Sequence, residues 1–276
     1  LKPKDADNGN IHLSNISLLA GRSYKLHLML LLSASQMEVS VLSRFKKIVE
    51  SVVYYTVIDR ITTNQTERTF AGWCPEIRTI ISDADLNAFI TKCIVPAVNS
   101  WKVNNEQSFL RLGLNSMQQY RIKFIMAKIA AYVDALRIGK TDTGVLATYV
   151  DSGVEIEHIM PQTCHDKSAY GVNDEEHDML LNRLGNLALL ENSLNKSIHN
   201  DDYASKSTAY QQSKFYLTKS IPGLVDQGTD TAITRTNKKL TAWSKWNKAS
   251  IEDRQQMLYR LSEEIWSITA TDTATA

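Results

Sequence analysis

Apolar residues recur every three to four positions in two long stretches of the first half. Leu42, Phe45, Ile48, Val49, Val52 and Val53 form one stripe, and Ile122, Ile125, Met126, Ile129, Val133 and Leu136 a second. That period predicts helices whose stripes are core faces rather than cofactor surfaces. Ser82-Asp83-Ala84-Asp85 reads as a capping box ahead of Leu86, Phe89, Ile90, Cys93 and Ile94, with Pro96 limiting that helix. The first stretch of the chain, about 20 residues, reads as a polar, frayed lead-in.

The pattern changes after residue 139. Val145–Val150 and Val154–Ile159 are short and β-branched, and Asp151-Ser152-Gly153 between them signals a turn. Asn186–Leu190 is another short apolar run, followed by a predicted helix over Asn192–Ile198. A further helix is predicted over Asp202–Leu217, ending before Pro222-Gly223, and Gln227–Thr236 reads as a polar connector. Ser250-Ile251-Glu252-Asp253 looks like a second capping box, opening a helix with Leu258, Leu261, Ile265 and Trp266 on one face. The Thr/Ala-rich tail 269–276 reads as disordered. The regions drawn from this reading are 1–139, a helical scaffold; 140–222, the region carrying chemistry; and 223–276, a connector and a C-terminal helix packing on that region.

Composition narrows the class. Hydrophobic residues make up 43% and charged residues 22% of the 276, ordinary for a globular chain and unlike a disordered one. Three cysteines, Cys74, Cys93 and Cys164, have no Cys-x-x-Cys spacing and build no disulfide framework, which points to a reducing cytoplasm. The longest apolar run, Leu26–Ala34, contains His27 and falls well short of the ~20 residues a membrane span needs. The chain begins at Leu1 and is read as part of a longer protein. The formal charge of +1 hides an asymmetry: residues 1–139 carry 17 basic and 11 acidic residues, 140–222 carry 7 and 12, and 223–276 carry 7 and 7. The middle region also holds four of the six histidines, His158, His165, His177 and His199. Histidines gathered with carboxylates suggest a metal or acid–base site.

The informative stretch is Val154-Glu155-Ile156-Glu157-His158-Ile159-Met160-Pro161-Gln162, then Leu184-Gly185-Asn186-Leu187-Ala188-Leu189-Leu190, then Asn195-Lys196. Phosphodiester hydrolysis needs a base able to deprotonate water near neutral pH, and histidine has the suitable unperturbed pKa. Charge developing on the leaving oxygen is most simply neutralised by a hard divalent cation on oxygen ligands. A carboxylate beside a histidine on one strand, with an amide oxygen on the next helix, contains those parts.

These segments resemble an HNH, or ββα-metal, nuclease motif. Ile159-x-Pro161-Gln162 after the histidine is close to the pattern in the HNH domain of CRISPR effector nucleases. More widely, EIEHIMPQ, NRLGNLALLENSLNKS, the Lys214-Phe215 segment and the final W…I.DR…L…IW pattern are similar to the C-terminal nuclease domain of GmrSD-type restriction enzymes. That group attacks modified phage DNA, and SspE-like defence proteins share its layout. The resemblance implies a mainly α fold, a helical scaffold around a short β-hairpin with a small ββα-metal motif. It implies a metal-dependent DNA endonuclease that nicks one strand, with His158 as general base and Glu157 and Asn195 as ligands of Mg²⁺ or Mn²⁺. Asn186 would fix the loop bearing the histidine, and Lys196 is a candidate phosphate contact. It further implies foreign or phage DNA as partner and an N-terminal, nucleotide-hydrolysing, modification-sensing domain elsewhere in the protein. Two departures stand out: the family's acidic position is often Asp rather than Glu157, and no structural Cys-x-x-Cys zinc site braces the motif.

The same residues also admit structural readings. A Glu-His pair on a strand is ordinarily a surface ion pair. Cys164, His165 and His177 lack usual zinc spacing, and His199 reads as a solvent-facing helix end. Gly139-Lys140-Thr141 fails as a phosphate loop because Asp134 stands where its first glycine belongs. Asn64-Gln65-Thr66 is a chance glycosylation sequon. DNA affinity comes largely from Lys and Arg meeting phosphates, so the acidic middle region must borrow basic surface, for which Arg121, Lys123, Lys128 and Arg137 are the candidates. The runner-up function is a non-catalytic DNA-binding or partner-docking module with a degenerate motif, and the third is an RNase.

Overall fold

The computed structural model describes residues 8–164 and 166–269, with side chains described from Ile11 onward. His165 and the tail beyond Thr269 lie outside the described residues. The chain forms two compact units, Leu1–Phe109 with Trp266–Ala276, and Leu110–Ile265. Residues 110–139, grouped by pattern with the helical scaffold, thus fold in the same unit as the region carrying chemistry.

The described part of the first unit is helical: α1 (Asn8–Ala20), α2 (His27–Ser33), α3 (Val39–Ile58), α4 (Thr63–Ile77), α5 (Asp83–Phe89), α6 (Val95–Trp101) and α7 (Asn105–Leu110). The polar lead-in is ordered from Asn8 because α1 packs along α3. Ile16 and Leu19 are fully buried, and His12 and Asn15 both reach the buried Glu50 carboxylate at 2.6 and 3.1 Å. The Ser82 capping box forms as expected. Pro96 does not stop the helix: one π turn over Ile90–Ile94 separates α5 from α6, and Pro96 falls in the first turn of α6, where its missing N–H costs nothing. Tyr54 of α3 stacks on Trp266 with ring centroids 3.8 Å apart.

The second unit contains α8 (Gln119–Arg137), α9 (Ala147–Val150), β1 (Val154–His158), α10 (Asp174–Leu181), β2 (Leu187–Glu191), α11 (Asn192–Ile198), α12 (Tyr203–Gln212), α13 (Tyr216–Lys219), α14 (Ala232–Asn237) and α15 (Lys248–Ile265). Ile122, Ile125, Ile129 and Val133 of α8 are fully buried, as the stripe predicts, and β2, α13, α14 and α15 pack on that helix. The two strands form a two-stranded antiparallel sheet, running in register from Val154↔Glu191 to His158↔Leu187. The expected strand over 145–150 is instead a single helical turn, α9. Its Tyr149 hydroxyl donates to Asp134 of α8 at 2.9 Å and its ring lies 5.2 Å from that of Phe215, contacts that replace strand pairing.

Three further expectations are corrected. The helix expected over Asp202–Leu217 breaks between α12 and α13, where Glu191 accepts from the Ser213 hydroxyl at 2.9 Å and from Lys214 N at 2.7 Å. Within the polar connector, α14 forms on a Thr231 cap. The last helix starts before the expected box: Ser250 N donates to Asn247 Oδ1 at 3.0 Å, so Asn247 rather than Ser250 holds the first turn. Among the described residues no helix is long and apolar enough to cross a membrane.

Candidate active site

The site is organised by the turn Leu184–Asn186 that leads into β2. That turn lies against α15 so closely that a Cβ on Gly185 would stand 2.2 Å from the Ile251 carbonyl oxygen, so only glycine fits. Arg254, 1% exposed, donates from Nη1 to the carbonyls of Gly185 and Leu187 at 2.8 and 2.7 Å. Burial pulls its guanidinium down to about 10, so it keeps its charge at neutral pH while satisfying carbonyls the turn leaves free. Asn186, fully buried, then ties the turn to the chain just after β1. Its Oδ1 accepts from Met160 N at 2.7 Å and Trp246 Nε1 at 2.9 Å, while Nδ2 donates to the Met160 and Leu181 carbonyls at 3.2 and 2.9 Å. A carboxamide making four bonds at a buried position defines the course of the backbone beside His158.

His158 closes β1, 8% exposed. Its Nε2 lies 3.1 Å from Asn182 Oδ1 and its Nδ1 2.8 Å from Gln162 Nε2. Burial pulls the imidazole below its ordinary 6.5, against the raising effects of the Asn182 bond and the neighbouring Glu157 charge. The ring is therefore neutral at pH 7, the state a proton acceptor requires. Asn182 is held in turn: its Nδ2 donates to Asn115 Oδ1 at 3.2 Å, and its carbonyl accepts from Leu114 N at 2.9 Å.

The other residues singled out by the resemblance are not brought to one point. Successive strand side chains alternate in face. The Glu157 carboxylate accepts from Lys206 Nζ at 2.6 Å and from the Tyr210 hydroxyl at 3.1 Å, all three groups buried. Asn195 of α11 donates to Glu155 at 2.6 Å, so its carboxylate partner is Glu155 rather than Glu157. Lys196, on the same helix, is exposed. Glu157 Oε1 is thus neutralised by an ammonium and Asn195 Nδ2 is spent on Glu155, so a cation shared by the pair, as the resemblance implies, would have to compete with both contacts. Among the described residues no group of three or more His, Cys, Asp or Glu side chains is arranged to hold a metal ion.

Most of the expected basic stripe on α8 is engaged in contacts within its own unit. Lys123 donates to the Asp151 and Val154 carbonyls at 2.8 and 2.6 Å, pinning the start of β1, and burial lowers its amine pKa. Lys128 is buried, Arg137 lies 3.8 Å from the Tyr216 ring centroid, and Arg121 donates to Tyr120. His177 of α10 is buried with Nε2 3.1 Å from the Pro161 carbonyl, a contact that braces the loop after His158. Cys164 is a free thiol and His199 is exposed. Sequence reasoning assigned no role to Asn182, Gln162, Glu155, Lys206 or Arg254. All but Lys206 fall within the segments that carry the resemblance, Glu155 and Gln162 in EIEHIMPQ, Asn182 at the start of NRLGNLALLENSLNKS and Arg254 in the I.DR stretch, but position in a motif says nothing of what each side chain faces.

A sheet of two antiparallel strands followed at once by a helix, carrying a buried neutral histidine inside a mainly helical unit, is the frame on which likeness to known proteins bears. Residues 102–261, more than half of the chain, match the family described as GmrSD restriction endonucleases, C-terminal domain, and the chain belongs to that family. No curated protein matches it significantly. Membership in a restriction endonuclease family supports a nuclease role, with DNA as the implied substrate.

Proposed function

We propose that this chain is an HNH-type DNA endonuclease in which His158 is the general base. The observation that carries the reading is the His158 ring itself. It is buried, held neutral by that burial, and bonded at Nε2 to Asn182 Oδ1, which leaves Nδ1 as the basic nitrogen. In the reaction, Nδ1 takes a proton from water, the hydroxide oxygen bonds to phosphorus, and the bond from phosphorus to the 3′ oxygen breaks. The leaving oxygen gains a proton from solvent, giving 5′-phosphate and 3′-hydroxyl ends. General-base help of this kind contributes ~10²–10⁴ in rate. One such histidine serves one strand, so the product is a nick. Lys196, exposed on α11 near Asn195, is the proposed phosphate contact.

Foreign or phage DNA as the natural substrate, a cytoplasmic setting and an N-terminal modification-sensing domain belong to the same proposal and rest on family membership. Mg²⁺ or Mn²⁺ on Glu157 and Asn195 would compete with Lys206 and Glu155 for those groups, and no step passes through a metal. That same commitment of Glu157 to Lys206 favours the second reading, a non-catalytic DNA-binding module. The deciding experiment incubates supercoiled plasmid with the chain in Mg²⁺, in Mn²⁺ and in chelator, beside His158→Ala and with an RNA substrate in parallel. Nicking by the parent that His158→Ala loses supports the endonuclease. Equal nicking by both rejects it, DNA retention without cutting supports the binding module, and preferential cleavage of RNA redirects the substrate.

A further inference from the structure

Two carboxamides flank the His158 ring, a third backs one of them, and their polarities run one way. Gln162 Nε2 donates to Nδ1 at 2.8 Å, Nε2 of the ring donates to Asn182 Oδ1 at 3.1 Å, and Asn182 Nδ2 donates to Asn115 Oδ1 at 3.2 Å. An amide nitrogen only donates and an amide oxygen only accepts. A donor facing Nδ1 requires a bare lone pair there, and an acceptor facing Nε2 requires a proton there. The two contacts therefore select the same neutral tautomer, and reversing it means turning the amides against each other.

Resting on the general-base reading, we infer that Asn182 and Gln162 are positioning residues: Asn182 holds the Nε2 proton of His158, and Gln162 caps the reactive Nδ1 lone pair until a water replaces it. The two differ in mobility. Asn182 is half-buried, and its backbone carbonyl is tied to Leu114 N at 2.9 Å, so it is a fixed support. Gln162 is exposed, in the loop after Pro161, so its carboxamide swings into solvent with its own polar groups still hydrated while a water takes its place at Nδ1. Supported on one side and loosely capped on the other, the imidazole keeps its orientation in the absence of substrate while its basic nitrogen stays accessible.

The test uses the full chain labelled with ¹⁵N in histidine, with the His158 ring signals assigned by their loss in His158→Gln. Long-range ¹H–¹⁵N spectra near neutral pH are expected to show Nε2 protonated and Nδ1 bare in the parent. Gln162→Glu replaces the donor with an acceptor, so Nδ1 gains a proton and nicking falls by ~10-fold or more. Gln162→Leu leaves Nδ1 bare, so the effect of Glu follows polarity rather than loss of the side chain. Asn182→Leu removes the acceptor at Nε2, and the share of Nδ1-protonated ring rises. A parent ring protonated at Nδ1, or a Gln162→Glu ring still bare at Nδ1, overturns the assignment. If the spectra behave as expected but nicking does not depend on His158, the positioning pair stands and the nuclease reading falls.

Discussion

Lys206 Nζ and Glu157 Oε1 meet at 2.6 Å with their side chains only 1% and 8% exposed, while the same ammonium also donates to the His158 carbonyl at 2.7 Å. An ion pair this deep holds the end of β1 against α12. Removing one partner leaves a buried charge unpaired, so Lys206→Met is expected to lower stability by ~3–5 kcal/mol. Pairing it with Glu157→Gln removes the stranded charge and should restore much of that loss. Urea unfolding of the single and double variants measures both. If the double variant is as unstable as Lys206→Met alone, the pair is not what holds the strand.

Asn186 ties the turn before β2 to the chain after β1. Asn186→Ala leaves Met160 N–H and the Trp246 indole N–H without their acceptor in a buried setting. The expected cost is on the order of 3 kcal/mol, with nicking reduced because the backbone beside His158 is released. Asn186→Asp still accepts both bonds but turns a carboxylate oxygen toward the Met160 and Leu181 carbonyls, so it is not expected to rescue. Thermal unfolding followed by circular dichroism checks the order; an Asn186→Ala protein as stable as its parent contradicts it.

The lowered His158 pKa has a consequence for acid stability. Burial places the folded value below the ordinary 6.5, so the unfolded chain takes up the proton first as pH falls. The stability is present above about 6.5 and is lost progressively below it. His27 is also lowered, by burial and by Lys25, and adds to the parent's loss. His158→Gln should therefore unfold with a shallower decline than the parent between about pH 7 and about pH 5. The acid limb of nicking should likewise lie below that of an exposed histidine. Identical slopes in parent and variant would show that the ring is not held neutral.

Much of the architecture was legible because it rests on local rules. The stripes of α3 and α8, the Ser82 box, β1, β2 and the helix Asn192–Ile198 all follow from periodicity or short-range hydrogen bonding. The errors came where a distant group overrode the local pattern. Asp134 and Phe215 hold Tyr149, so a β-branched run became a helical turn. Glu191 captures Ser213 and Lys214 and divides one helix in two. Glu50 orders a polar lead-in into α1.

The candidate site divides the same way. The residue types His158, Asn186 and Glu157 at their spacing, with the Pro161-Gln162 pattern and the wider segments, are enough to indicate the family, because that depends on which groups occur in which order. What each side chain faces depends on the packing of α12, α15 and the segment around Asn115, which lie 40 or more residues from His158 along the chain. No local periodicity encodes such approaches. Tertiary contacts alone decided that Glu157 meets an ammonium, that Asn195 meets Glu155, and that Asn182 lies against the imidazole.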